Sequence, residues 1–213
     1  MNLDIHQQAF LALQQRRWED AGLWAAQLLE HSPQDPDAHF MAGVSLLERN
    51  EGQAALNHFK QAVILDSTRM EFSLFLARAH ASLQNYKSAL LEAERAMTMV
   101  TLDDALAHDT LGVIFSQCHA YESAINTFRK SVALAPGNDG FRFNLGTTLT
   151  FFGQLEEAER ELEACVAINP GHWRAHHSLA QLRKQTPDSN HIKRLSTLLP
   201  QVVGRVTATT YLN

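Results

Sequence analysis

The chain has 213 residues, 45% hydrophobic and 19% charged, with a formal net charge of -5. This is the composition of a soluble globular protein with a continuous core, too poor in Pro and Gly for a low-complexity chain. The acidic excess, and basic clusters no longer than Arg183-Lys184 and Lys193-Arg194, exclude nucleic-acid binding driven by phosphate contacts.

No stretch approaches the roughly 18 consecutive apolar residues of a membrane span, and the N-terminus lacks the basic start and apolar core of a signal peptide. A cytoplasmic protein is expected. Cys118 and Cys165 lie far apart, and Cys165 falls on a core position. Two such cysteines read as reduced thiols and not as a disulfide framework.

In chain order, residues 2–35 read as a degenerate helix pair, with Ile5, Ala9 and Ala12 inward on the first helix and Trp18, Ala21, Ala25, Leu28 and Leu29 on the second. Residues 36–69 form the next unit, opened by Asp35-Pro36-Asp37, turned at Asn50-Glu51-Gly52 and striped by Ala55, Phe59, Ala62 and Leu65. Residues 70–104 carry Leu76-Ala77, Tyr86, Ala89, Ala93 and Ala96 but no closing Pro; Asp103 or Asp104 is the expected N-cap of the following helix. Residues 105–138 and 139–172 repeat most clearly. Leu111-Gly112 matches Leu145-Gly146, Ala124 matches Ala158, Phe128 matches Leu162, and Ala135-Pro136 matches Asn169-Pro170. Gly146 and Ala158 are small where the paired helices must approach closely, and Gly153 ends the first helix of its pair.

Residues 173–199 read as two capping helices and 200–213 as a loosely ordered or truncated tail. Helices are predicted near 3–15, 19–31, 37–49, 53–65, 70–83, 87–99, 104–117, 121–134, 139–151, 155–168, 173–184 and 190–199. The prediction is thus an all-α, right-handed solenoid of stacked helix-turn-helix units, each burying its apolar face only against its neighbours.

The period and the residue types together resemble the tetratricopeptide repeat (TPR) family. The resemblance implies that the first helix of each unit lines a concave surface holding a peptide or protein segment. Carried onto this chain, the partner-binding residues would be His6, Phe10, Phe40, Val44, Leu47, Leu74, Arg78, Asp109, Val113, Gln117, Phe143, Asn144, Thr147, Phe151, Arg174, His177 and Gln181. The N-terminal half of this strip is apolar and the C-terminal half polar and partly cationic. Asn144 sits where the family often holds a ligand's backbone, with Phe143 and Phe151 as anchors or, in the alternative, as packing between repeats. The family's two-carboxylate clamp is not expected, because only Asn144 and Arg174 fit its pattern.

No phosphate cradle or nucleophile elbow occurs, so neither catalysis nor a cofactor is expected. His172 and His176 stand at i, i+4, a metal-binding spacing, but no acidic or Cys partner is near in sequence. His39, His108 and His176 share one place in their units and read as half-buried side chains reaching water. The carboxylates of 156–163 read as a solvated face paired with Arg160. The expected role is a non-catalytic interaction scaffold, with room for a terminal helix to pair with its copy in a second chain. Residues 176–195 also resemble a stretch of bacterial proteins that join TPR arrays to a sulfotransferase-like domain, which would make the chain the recognition module of a larger enzyme.

Overall fold

The computed structural model describes residues 4–101, 103–182 and Ser196. Among them are eleven helices and no strand: α1 (Ile5–Gln14), α2 (Trp18–His31), α3 (Pro36–Glu48), α4 (Gly52–Leu65), α5 (Met70–Ser82), α6 (Tyr86–Met97), α7 (Ala105–Gln117), α8 (Tyr121–Leu134), α9 (Asp139–Phe152), α10 (Leu155–Ile168) and α11 (Trp173–Leu182). Each of these eleven agrees with a predicted helix to within two residues at either end. The twelfth predicted helix, 190–199, and the tail 200–213 lie outside the described residues. The chain divides into two compact units, one running to Ala120 and one beginning at Tyr121.

The starts of α3, α7, α9 and α11 follow from the side chain one place before each. A helix begins with backbone N–H groups that have no partner inside it. Asp35 accepts from the backbone N–H of Asp37 and Ala38, Asp104 from Ala107, and Asn138 from Phe141. At α11 the imidazole Nδ1 of His172 does the same for the N–H of Ala175, at 3.1 Å.

Helix ends are equally regular. Arg16, Asn50, Gln84, His119 and Gly153 all have positive φ, between 56° and 90°. The N–H of the following residue returns to a carbonyl five places back, as in Arg17 to Ala12, Glu51 to Leu46 and Gln154 to Leu149. This is the closing geometry that glycine favours. Gly52, expected in the turn, is instead the first residue of α4.

A third feature, shared by α3, α9 and α11, ties the helix to the turn before it. His39 Nε2 lies 3.1 Å from the carbonyl oxygen of Pro33, Arg142 Nε donates to that of Pro136 at 2.9 Å, and His176 Nε2 lies 2.9 Å from that of Pro170. The expectation that His39 and His176 point to water is thereby corrected: Nε2 of each meets a main-chain oxygen, and His108 and His176 are buried.

In the first unit the heart of the core is Leu56, Phe59, Val63, Phe72 and Leu76 with Val44 and Leu47, joined by Ala9, Ala25, Leu28, Met41 and Ala42 toward α1. In the second unit Phe143, Leu162, Cys165, Val166, Ala175 and Leu179 pack together. Close approach is built in: a Cβ on Gly43 would stand 2.6 Å from the Phe59 ring, and one on Gly146 2.8 Å from Leu162. Two carboxylates of the α10 run 156–163 reach other helices. Glu157 takes Arg129 at 2.8 Å and Glu161 takes Arg142 at 2.7 Å.

Candidate binding face

Each unit has two layers. Every helix packs on the next in sequence within its unit, but odd-numbered helices also reach the next odd one: α1 to α3, α3 to α5 and α5 to α7 in the first unit, α9 to α11 in the second. Even-numbered helices make no comparable contact among themselves. The odd layer is therefore the more closely gathered side, and its outward face is where a ligand would meet several helices at once.

In the first unit the half-buried aromatics of the odd-numbered helices α3 and α5 are Phe40 and Phe75. Phe40 is half-buried and touches Phe72 and Phe75, each with ring centres 5.1 Å away, and Phe59 at 6.0 Å. The guanidinium of Arg78 lies 5.5 Å from the Phe75 ring and bonds Glu48 on α3 at 2.6 Å. Such a pair across two partly exposed side chains is worth at most about 1 kcal/mol, so it is easily exchanged for a ligand's charge. Asp109 and Val113 on α7 are half-exposed and Gln117 exposed. Phe10 on α1 is 58% exposed. His6, half-buried, contacts Asp35 at 3.0 Å.

Four residues expected on the binding face are core residues. Val44 and Leu47 lie in the central cluster, Leu74 is buried in α5, and Phe143 is only 8% exposed, packed on Leu162, Cys165 and Leu179. The reason is geometric. Where odd helices touch both the even layer and each other, side chains three and four places apart turn inward on two sides of one helix, so the outward strip is narrower than the repeat pattern implies. Phe75 on α5 and Glu48 on α3, not foreseen, are half-buried beside Phe40 and Arg78; the Phe-rich stretch around α5 held the only hint.

In the second unit Phe151 is 74% exposed and stacks on Tyr121, ring centres 6.3 Å apart. Arg174 lies over the buried Phe143 ring, 4.9 Å from its centre. His177 and Gln181 are exposed and Asn144 is half-exposed. Thr147 turns its hydroxyl to the carbonyls of Phe143 and Asn144.

Both cysteines are buried, and burial raises both thiol pKa values, that of Cys165 to about 11 with Asp139 adding to the effect. Desolvation first, and then the charge of His39, lowers the pKa of His58; desolvation and then Lys60 lower that of His80. No described helix is long and apolar enough to cross a membrane.

The repeating helix pairs have sequence counterparts. Family models described as tetratricopeptide repeat match residues 7–69, 40–105 and 119–182. The chain belongs to the tetratricopeptide repeat family. A 94-residue segment is 31% identical to the TPR repeat-containing thioredoxin TTL4 of Arabidopsis thaliana, covering 37% of this chain and 14% of that protein. Among solved structures, PilF of Pseudomonas aeruginosa superposes with a TM-score of 0.75 at 17% identity, over 97% of this chain and 93% of PilF. YrrB, a TPR protein described as having an unusual peptide-binding site, gives 0.65 at 22% identity, over 80% of this chain and 87% of its own. MamA of Desulfovibrio magneticus RS-1 gives 0.67 at 19% identity, over 79% and 94%. At these identities the structural likenesses establish the fold, an all-α TPR solenoid.

Proposed function

We propose that the chain is a non-catalytic, cytoplasmic scaffold that holds a peptide or protein segment against the outward face of its odd-numbered helices. The observation that carries this reading is the half-buried aromatic pair Phe40 and Phe75 on α3 and α5, with Arg78 and its partner Glu48 beside it. An apolar floor with charges of both signs at its rim suits a segment that combines an apolar anchor with polar main chain. A TPR structure with a peptide-binding site in its description supports the same use of the fold. The acidic net charge speaks against nucleic acid as the partner.

The test is selection of a random peptide-display library on the immobilised full chain. Arg78→Ala with Val113→Asp is expected to weaken a selected peptide at least about tenfold, which is about 1.4 kcal/mol. The control, Leu91→Ala on the exposed side of α6, is expected to leave binding unchanged. Binding lost in the control and kept in the double variant would transfer the site to the even-numbered layer and sink the proposal.

A second reading makes the chain the recognition module of a larger enzyme. It draws on a relative in which the matching segment occupies only 14% of a protein named as a thioredoxin. A reading frame extending past Asn213 into a catalytic domain, of the sulfotransferase-like or another kind, would favour it.

A further inference from the structure

We propose that Asp139, Cys165 and His172 form a binding site for a divalent cation of the zinc class. Asp139 is distant in sequence from Cys165 and His172, and the three come from separate places: the first residue of α9, the last turn of α10 and the turn before α11. The fold brings a carboxylate oxygen, the Cys165 sulfur and a ring nitrogen of His172 within 4.8 Å of one another. Among the described residues this is the one group of three such side chains so arranged. His176 and His177, its neighbours by sequence spacing, are not part of it: His176 is turned to Pro170 and His177 is exposed.

The chemistry of the set is coherent. Thiolate, imidazole and carboxylate bind zinc at about 2.0–2.3 Å, so tetrahedral ligands stand roughly 3.3–3.8 Å apart. The widest separations therefore need to close by about 1–1.5 Å. Cys165, 0% exposed, is the fixed member. Asp139 and His172 are half-buried and can turn toward it. Asn169 Nδ2 donates to Asp139 Oδ2 at 2.7 Å, which orients the carboxylate and leaves Oδ1 for the ion. The Phe143 ring, 4.8 Å from that of His172, forms an apolar wall. Arg142, the nearby cation, is tied to Glu161 and the Pro136 carbonyl. Water takes the fourth position on the half-exposed side.

Binding has a defined proton balance. The Cys165 S–H bond breaks, a sulfur–metal bond forms, and one proton passes to solvent. In the ion-free chain His172 Nδ1 accepts from the Ala175 N–H, so Nε2 carries the ring proton. If Nδ1 takes the ion, its lone pair is no longer available to Ala175. If Nε2 takes it, the proton moves to Nδ1. Either way the Ala175 bond is lost, and the first turn of α11 reports on the site.

The test is titration of the chelator-treated full chain with zinc by calorimetry in buffers of different ionisation enthalpy, and with cobalt(II) by absorption. One equivalent is expected to bind at micromolar concentration or below, releasing a proton, with a thiolate-to-cobalt charge-transfer band. Cys165→Ser is expected to abolish the band, and Asp139→Asn and His172→Gln to weaken binding at least about tenfold. Cys118→Ser and His177→Ala are expected to leave it intact. The Ala175 amide resonance should shift on binding. Circular dichroism checks the fold of each variant, and the half-buried Asp139→Asn keeps the test open if Cys165→Ser misfolds. No binding at tens of micromolar zinc, a band that survives Cys165→Ser, or an affinity untouched by Asp139→Asn would overturn the proposal.

Discussion

Gln84 ends its helix in the left-handed region, with φ of 59°. For a residue with a Cβ this conformation costs roughly 1 kcal/mol that glycine does not incur. Gln84→Gly is therefore expected to stabilise the chain by up to about 1 kcal/mol, read as a higher urea midpoint at unchanged slope. An unchanged or lower midpoint would show that the strain is relieved elsewhere. The turn at Gly153 was readable because glycine announces it. Those at Arg16, Gln84 and His119 were not, because nothing in their chemistry asks for positive φ and the stack imposes it. His58 makes a second prediction. Burial and His39 hold its pKa below the ordinary 6.5, so between those two values the unfolded chain binds more protons than the folded one. Its contribution to stability is complete above pH 6.5 and falls as the pH drops from there toward the folded-state value. Urea midpoints at pH 7.5 and 5.5 should differ less for His58→Gln than for the parent chain; an equal difference would assign the effect to other groups.

Within a helix pair, the governing quantity is how closely two axes can approach. Gly43 on α3 faces the fully buried Phe59 of α4, and an added methyl would meet a ring with no room to retreat. Overpacking of this kind costs about 1–3 kcal/mol. Gly43→Ala is thus expected to lower the urea midpoint by that amount, and Gly43→Ala with Phe59→Leu to recover part of it. Equal losses in the single and double variants would mean that the contact is not the cause. The pairs were legible in the sequence because amphipathic spacing, small residues and closing prolines all repeat together. Outward-facing residues were less so. Leu74 and Phe143 stand in the same repeat place as Phe40 and Asp109, yet the first two are buried and the last two are not. Place in the repeat fixes a direction along the helix, but the size of the neighbours decides whether a side chain there is covered. The His172 cluster was hidden for a different reason: Asp139 reaches Cys165 and His172 only through the packing of α9 on α10.

Stability in a stacked chain is distributed by neighbours, since each pair is held only by those beside it. In the first unit α1 packs on α2 and α3, whereas α3, α4 and α5 enclose the Phe59 and Phe72 core. Hydrogen exchange of the full chain should find the amides of α1 among the least protected in this unit and those of α3 to α5 among the most. Uniform protection from α1 through α7 would instead indicate one all-or-none unit. At this scale the sequence was a good guide to the fold and a poor one to the ligand, because a period is visible in one dimension while a binding surface is assembled in three.

The contacts of His39, Arg142 and His176 with Pro33, Pro136 and Pro170 change what the fourth residue of a repeat is understood to require. Read from the sequence it is a place for bulk. Imidazole and guanidinium differ in shape, charge and size, and share a side-chain N–H that reaches one oxygen six residues back. Tryptophan, with its indole N–H, would serve equally, whereas phenylalanine would fill the volume and strand the oxygen. Recognition profiles weighted for a long-reaching nitrogen at that place, in preference to an aromatic ring, should pick out divergent arrays that size alone overlooks.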